Sequence, residues 1–335
     1  MYNDSVSRIA KKLEIKTGVF LITGATGLIG SCFIDVLVYA NKNLDASFKI
    51  YALGRSEEKI KNRFGNEVIP VEQDISMPLS MNVKYDYIIH AASNASPRMY
   101  AEFPAETIIT NVIGCKNVLD YCKKNMNTRL LFTSTFEIYG HIEDIDTYTE
   151  DMTGIIDLQI LRNCYPESKR CSELLLKSYV DEYGIDAVIA RLSSIYGPTM
   201  QIDDNKAHAQ FIKKALNHEN IVLKSEGTQK RTYCYVVDAV SALLTILFKG
   251  ASGEAYNVSN ENSIATIAEV AKICADIAGT TIKYELPSEN ERKGYSKPQN
   301  CILDNTKLKE LGWRGRYSVQ DGMQETIMAL RENHK

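Results

Sequence analysis

Much of what would mark a specialised chain is missing. No apolar run approaches the roughly 18 residues that cross a bilayer, and the first residues do not read as a secretory leader. Basic residues are not in excess: 39 Lys and Arg stand against 42 Asp and Glu, for a formal net charge of -3. That removes the electrostatic case for a nucleic-acid or membrane-surface partner. No Cys-x-x-Cys pair occurs among the eight cysteines, and the five histidines are scattered, so no metal set is legible. There are no internal repeats and no low-complexity tracts. Cys32, Cys115, Cys122, Cys164, Cys171, Cys234, Cys274 and Cys301 fall mostly within periodic apolar segments, which suits the reduced, buried thiols of a cytoplasmic protein. What remains is an ordinary globular composition, 44% hydrophobic, in 335 residues. That length holds one large or two modest domains.

Against this plain background one stretch stands out. Val19 to Ile22 form an apolar, β-leaning run, followed by Gly24, Gly27 and Gly30 with two residues between each pair. A helical pattern (Ile29, Phe33, Val36, Leu37) begins at once. Glycines let a backbone approach an anion, and a helix N-terminus offers free amides and a favourable dipole. The order strand, glycines, helix predicts a pyrophosphate cradle built by Gly24, Thr26, Gly27, Leu28, Ile29 and Gly30. A purely structural turn is the alternative.

Strand and helix patterns then alternate. Strands are expected at 48–53, 67–71, 85–90, 129–133 and 187–191, with long helices at 104–124 and 166–182. This predicts an α/β, Rossmann-like, doubly wound parallel sheet. Ahead of it, Val6, Ile9, Ala10 and Leu13 recur at helical spacing and predict a short amphipathic helix on the domain edge. The organisation reads as an N-terminal helical extension over 1–17 and a dinucleotide-binding domain over 18–192. A smaller substrate-binding lobe covers 193–335, some of its strands and helices returning to the main sheet. At the tip of the second strand, an acid would grip both ribose hydroxyls of NAD. Gly54-Arg55-Ser56 has none, and Arg55, Ser56 and Lys59 lean towards the 2'-phosphate of NADP. Small residues Ala91 and Ala92 close the fourth strand and leave room for the cofactor backbone.

Reactive groups come from two places. Tyr165 is the one tyrosine with a lysine four residues on, and Lys169 therefore lies one turn away on the same helical face. A free phenol titrates near 10, too high for a base at neutral pH. A nearby ammonium favours the phenolate and brings it into working range. Thr133-Ser134-Thr135-Phe136-Glu137 supplies hydroxyls at the end of the fifth strand. A surface Tyr–Lys pair and a merely hydroxyl-rich strand end would look the same.

These stretches together resemble the extended branch of the short-chain dehydrogenase/reductase superfamily. Tyr196-Gly197-Pro198 and Arg231-Thr-Tyr-Cys-Tyr235-Val-Val-Asp238 are similar to its nucleotide-sugar epimerases and dehydratases. Within that group the chain looks most like the UDP-glucuronate decarboxylases (UDP-xylose synthases). Ala95-Ser96-Pro97 with Tyr100, Thr110-Asn111-Val112-Ile113-Gly114, Arg162-Asn-Cys164-Tyr165 with Lys169-Arg170 and Glu173, Gln229-Lys-Arg231, and Thr135-x-Glu137 carry the match. The resemblance implies that Thr135 orients a substrate oxygen beside Tyr165, and that Asp74 and Ile75 lie beside the adenine. It implies that Ser96, Tyr100, Ser194 and Arg231 meet a nucleotide-diphosphate sugar. It favours NAD over NADP, and it implies a homodimer through the helices at 104–124 and 166–182. Their Ile109, Val112, Val118, Leu119, Leu174, Leu175 and Leu176 offer more apolar surface than one sheet face consumes.

There are departures. Ser193-Ser194 replaces a Phe-Asn pair and Thr199 replaces an arginine. Phe136 stands where the 4,6-dehydratases carry the acid for the leaving hydroxyl, which argues against a dehydratase. The implied chemistry is oxidation at sugar carbon 4, followed by decarboxylation, 4-epimerisation or net reduction of a 4-keto sugar. A non-catalytic cofactor sensor is a remote alternative. Glu137, two residues beyond Thr135, is expected on the same side of an extended segment, where with Arg231 it would separate decarboxylation from epimerisation.

Overall fold

The apolar run before the glycines becomes β1 (Thr17–Thr23), whose residues from Phe20 on are fully buried. This computed structural model describes residues 1–79, 82–285 and 299–333. Before β1 lies α1 (Tyr2–Ala10); after it come α2 (Leu28–Asn43), β2 (Ser47–Gly54), α3 (Glu57–Phe64), β3 (Ile69–Glu72) and β4 (Tyr87–His90). Next are α4 (Pro97–Glu102), α5 (Pro104–Lys124) and β5 (Arg129–Thr135), then a 3₁₀ turn at Phe136–Tyr139 and β6 (Thr147–Tyr148). A second 3₁₀ turn at Leu161–Asn163 leads into α6 (Cys164–Tyr183), β7 (Asp186–Leu192) and β8 (Ser194–Tyr196). The later chain holds α7 (Ala207–Leu216), β9 (Ile221–Leu223), β10 (Lys230–Tyr235), α8 (Val236–Lys249), β11 (Ala255–Val258), β12 (Ile264–Thr266) and α9 (Ile267–Ala278). It closes with β13 (Ile282–Tyr284), β14 (Ile302–Leu303), a short helix at Thr306–Glu310 and a final helix at Val319–Asn333.

Seven strands form the main sheet in the order β3-β2-β1-β4-β5-β7-β11. Every pairing is parallel. Both faces are covered, so consecutive buried residues serve opposite cores. Phe20 and Ile22 pack with α2 and α8 residues such as Phe33 and Leu243, whereas Leu21 joins Ile88, Phe132, Leu119 and Leu176 under α5 and α6. The order reverses between β1 and β4, and a parallel sheet opens a crevice at such a reversal. The outermost strand, β11, comes from the late chain and pairs with β7 from Ala255↔Ile189 to Val258↔Leu192. The other strands described pair outside this sheet: β12-β10-β8, β13-β9 and β14-β6.

The amphipathic start forms α1, which buries Val6, Ile9 and Ala10. Ser5 Oγ donates to Glu325 Oε1 (2.5 Å) and meets Tyr317 Oη at 2.6 Å, which ties α1 to the closing helix. Among the described residues no helix is long and apolar enough to cross a membrane. Six of the eight free thiols are buried; Cys164 is half-buried and Cys171 exposed. One expectation is corrected. The extended conformation stops at Thr135, and Glu137 lies in the 3₁₀ turn that follows, so strand alternation does not set its direction. The cause is local: Thr135 Oγ1 accepts the Glu137 amide (3.3 Å) and starts the turn.

Candidate active site

At the reversal of the sheet lies a cleft of ≈ 1470 Å³. Its floor is the β1–α2 turn. Gly24 sits at φ 66, and a Cβ there would lie 2.8 Å from the Ala91 carbonyl oxygen; one on Gly30 would collide with the Gly24 carbonyl. Only bare backbone fits, with the N-terminus of α2 facing the cleft at Gly27. Thr26, Leu28, Ile29, Arg55, Ser56, Asp74, Ile75, Ala91 and Ala92 line the same space. A glycine turn, a helix N-terminus and small strand ends fit an extended dinucleotide with its diphosphate over α2. Two clips bind this floor to the later chain: Thr199 Oγ1 donates to the Leu28 carbonyl (2.8 Å), and Gln201 Nε2 donates to the Thr26 carbonyl.

The reactive wall is made by β5 and α6. Thr135 ends β5, and Tyr165 is in the first turn of α6, 7% exposed, with the Thr135 side chain beside it. One turn on, Lys169 is 2% exposed. Its Nζ donates to the Thr133 carbonyl (2.9 Å) and lies 4.7 Å from the centre of the Phe132 ring. Burial pushes the ammonium down to about 8, while nearby Cys115 and Glu173 pull it back up. His90, in the same region, is pushed down to about 3, first by burial and then by the Lys169 charge. It is held by Thr23, whose Oγ1 is 2.8 Å from Nδ1.

Tyr165 departs from the expectation drawn from Lys169. Burial, and then Glu137, push its phenol well above the usual range, while the Thr135 hydrogen bond and Arg162 oppose them. Its ring stacks on Tyr100, with centroids 4.8 Å apart and planes 21° from parallel. Arg162 lies over Tyr100, 5.5 Å from its centroid, and its Nη2 donates to Glu137 Oε2 (3.0 Å). Glu137 thus reaches the cleft as half of an ion pair.

Ser96, Tyr100, Ser194 and Arg231 line the cleft as well. Ser96 Oγ donates to Asn205 Oδ1 (3.0 Å). The Arg231 guanidinium sits 5.8 Å from the Phe136 ring centre, and its Nε is buried without a hydrogen-bond partner among the described residues. Of the expected site residues, Lys169 alone stays beneath the lining rather than in it. Sequence reasoning missed the Arg162–Glu137 pair, although Arg162 stands three residues before Tyr165. It also missed the clips from Thr199 and Gln201. His208, 8% exposed and pushed down to about 4 chiefly by burial, lines the cleft too.

A glycine turn at a helix N-terminus and a buried Tyr–Lys pair with a threonine beside the tyrosine thus meet at one cleft, the arrangement a dinucleotide-dependent enzyme needs. The chain belongs to the NAD dependent epimerase/dehydratase family, whose model matches residues 20–259. UDP-glucuronic acid decarboxylase 5 of Arabidopsis thaliana is 34% identical over 305 residues, 90% of this chain and 86% of that protein. UDP-glucuronic acid decarboxylase 1 of Xenopus tropicalis is 30% identical over 314 residues, 93% of this chain and 72% of its own. Among solved structures, the UDP-glucose 4-epimerase of Thermotoga maritima, with UDP-glucose, superposes with a TM-score of 0.82 at 25% identity over 95% of this chain and all of that one.

Lys169 gives the first test. Its folded value of about 8 lies below the ordinary 10.5. The unfolded chain therefore holds more protons between those limits, and this group makes stability rise with pH across that window. Below it, the folded chain bears the cost of a buried charge. Lys169→Met should stabilise the cofactor-free protein by about 2 kcal/mol at pH 7 while abolishing turnover. Urea unfolding of both proteins at pH 7 and pH 10 should show the gap narrowing at the higher pH.

Proposed function

We propose that this chain acts on a nucleotide-diphosphate sugar by transient oxidation at carbon 4, and that its reaction is decarboxylation of a UDP-glucuronate-like substrate. The observation that carries the chemistry is the buried Tyr165 phenol with the Thr135 side chain beside it and Lys169 one helical turn on, at the edge of the cleft. Similarity to the UDP-glucuronic acid decarboxylases over nine-tenths of the chain supports the choice of substrate. A dinucleotide held by the Gly24–Gly30 turn would supply the hydride acceptor for oxidation at carbon 4 and the donor that reverses it. Thr135 orients the 4-hydroxyl, and Tyr165 takes its proton. With the 4-ketone formed, the bond from carbon 5 to the carboxylate can break, its electron pair passing into the ketone as carbon dioxide leaves. Carbon 5 is then protonated, and we assign that proton delivery, through a water, to Glu137, which lines the same cleft.

The ion pair changes the role expected of Glu137. A bare carboxylate would repel the substrate's own; paired with Arg162, it offers a hydrogen-bonding group with little net charge. Arg231, with its buried Nε unpartnered among the described residues, is the anchor for the diphosphate or the carboxylate. Phe136 lines the cleft next to Thr135 and holds no proton to give, which speaks against loss of a hydroxyl by acid assistance. The likeness to the UDP-glucose 4-epimerase keeps epimerisation as the second reading. Purified enzyme given UDP-glucuronate should release carbon dioxide and a UDP-pentose, and Glu137→Ala should lower that rate at least tenfold with little change in KM. Conversion of UDP-glucose to UDP-galactose, with UDP-glucuronate untouched, would install the epimerase instead.

We propose NAD as the cofactor. The lean of Gly54-Arg55-Ser56 towards NADP meets a local obstacle, because a 2'-phosphate would compete for the first amides of α3. Glu72 Oε2 already accepts the Glu57 amide (3.3 Å), Ser56 Oγ accepts that of Lys59 (3.2 Å), and Glu57 and Glu58 add charge of the wrong sign. Calorimetric titration of stripped protein should find NAD tighter than NADP by at least tenfold, with Arg55→Ala nearly silent towards NAD.

A homodimer through α5 and α6 is also proposed. Val118, Leu119 and Leu176 are consumed by the sheet, and Val112 and Leu175 are half-buried. Ile109 (50%) and Leu174 (67%) remain exposed, as do Ile108 and Ile113. Light scattering should give twice the chain mass, and Ile109→Glu with Leu174→Glu should halve it. The free thiols suit a cytoplasmic setting.

A further inference from the structure

Four side chains join the base to the cleft's charged wall in an unbroken series. Tyr165 is stacked on Tyr100, Arg162 lies over Tyr100, and Arg162 is paired with Glu137. Tyr100 is 2% exposed, and the two charged groups are mostly withdrawn from solvent, at 14% for Arg162 and 20% for Glu137. Solvent screens them weakly there, so the series is an electrostatic one as well as a packed one.

We propose that Arg162 is a positioning residue that sets the pH at which Tyr165 becomes a base, by holding Glu137 neutralised at one end and capping the Tyr100 ring, on which Tyr165 is stacked, at the other. The proposal rests on Tyr165 as the base and on no particular sugar. The other titratable groups around Tyr165 do not take over this task. Lys169 is turned to the Thr133 carbonyl. Asp204 acts on Tyr100 and is itself paired with Lys206 Nζ (3.3 Å). Cys164, at the start of the same helix, feels Arg162 and Glu137 in opposite senses. Arg231 lies over the Phe136 ring, 5.8 Å from its centre. Glu137 disfavours a phenolate at Tyr165 and Arg162 favours one, so removing either charge moves the base in a predictable direction. Without Arg162, Glu137 is left uncompensated and the phenolate becomes harder to form. Without the Glu137 charge, Arg162 acts alone and the phenolate becomes easier to form.

Opposite signs from two neighbours are what a merely structural role would not produce. The test replaces Tyr165 with 3,5-difluorotyrosine, whose more acidic ring titrates in a convenient range, and follows its ¹⁹F shift against pH in the NAD-bound protein without sugar. Arg162→Gln should raise the midpoint by about one pH unit and Glu137→Gln should lower it by a similar amount. Arg162→Lys, which keeps the charge but not the planar stack, should fall between wild type and Arg162→Gln. Midpoints that stay put, or move the same way in both charge-removing variants, overturn the proposal. Should Arg162→Gln fail to fold, Glu137→Gln and Arg162→Lys still decide it. The readout needs no turnover, so opposite shifts in a protein inert towards UDP-glucuronate would uphold this role and refute the decarboxylase. Turnover with unmoved midpoints would do the reverse.

Discussion

A lysine ammonium held under an aromatic ring, out of water, is the constraint around which the β5–α6 wall of the cleft is arranged. Removing such a charge from solvent is costly unless every neighbour helps to bear it. Lys169 has the Thr133 carbonyl, the Phe132 ring and the field of Glu173. Glu173 in turn binds Arg191 through Nη2 (2.8 Å), both side chains 7% exposed, so one carboxylate serves two buried cations on adjacent elements. His90 stays neutral beside them. The first turn of α6, with Tyr165, is fixed to the ends of β5 and β7 by this network rather than by apolar packing alone.

That arrangement explains which parts of the site could be read from the chain. The glycine turn and the Tyr165–Lys169 pair are legible because covalent spacing fixes their geometry: two residues between glycines, one helical turn between phenol and ammonium. The sheet is legible for the same reason, since runs such as Phe20–Ile22 and Ile88–Ile89 serve both faces at once. Glu137 departs from its expected direction because strand alternation ends two residues before it. The hydroxyl that made Thr135 interesting also caps the next turn and ends the strand. Arg162, Tyr100 and Glu137 meet only because α4 and the two 3₁₀ turns return to the same place, and no local pattern encodes that.

The cofactor end adds a contact that sequence order does not show. Reading the tip of β2 by itself, Arg55 without an acid suggests a phosphate. The acid is there, but it arrives from β3: Glu72 reaches the first amide of α3 across the strand pair that joins Gly54 to Glu72. A charge that is absent in sequence order is present in space, where it occupies the first amide of α3, one that an added phosphate would need.

The edge strand β11 carries a consequence for how such a chain is made. Residues 255–258 supply β7 with its outer neighbour, so the sheet that holds the cradle is still open on one side when most of the chain has left the ribosome. A nascent or truncated chain ending near residue 192 would present β7 as a bare edge of unpaired amides and carbonyls, the kind of surface on which strands of other molecules add. Cutting this protein at the apparent border between its two halves would therefore yield a sticky fragment rather than a portable dinucleotide module.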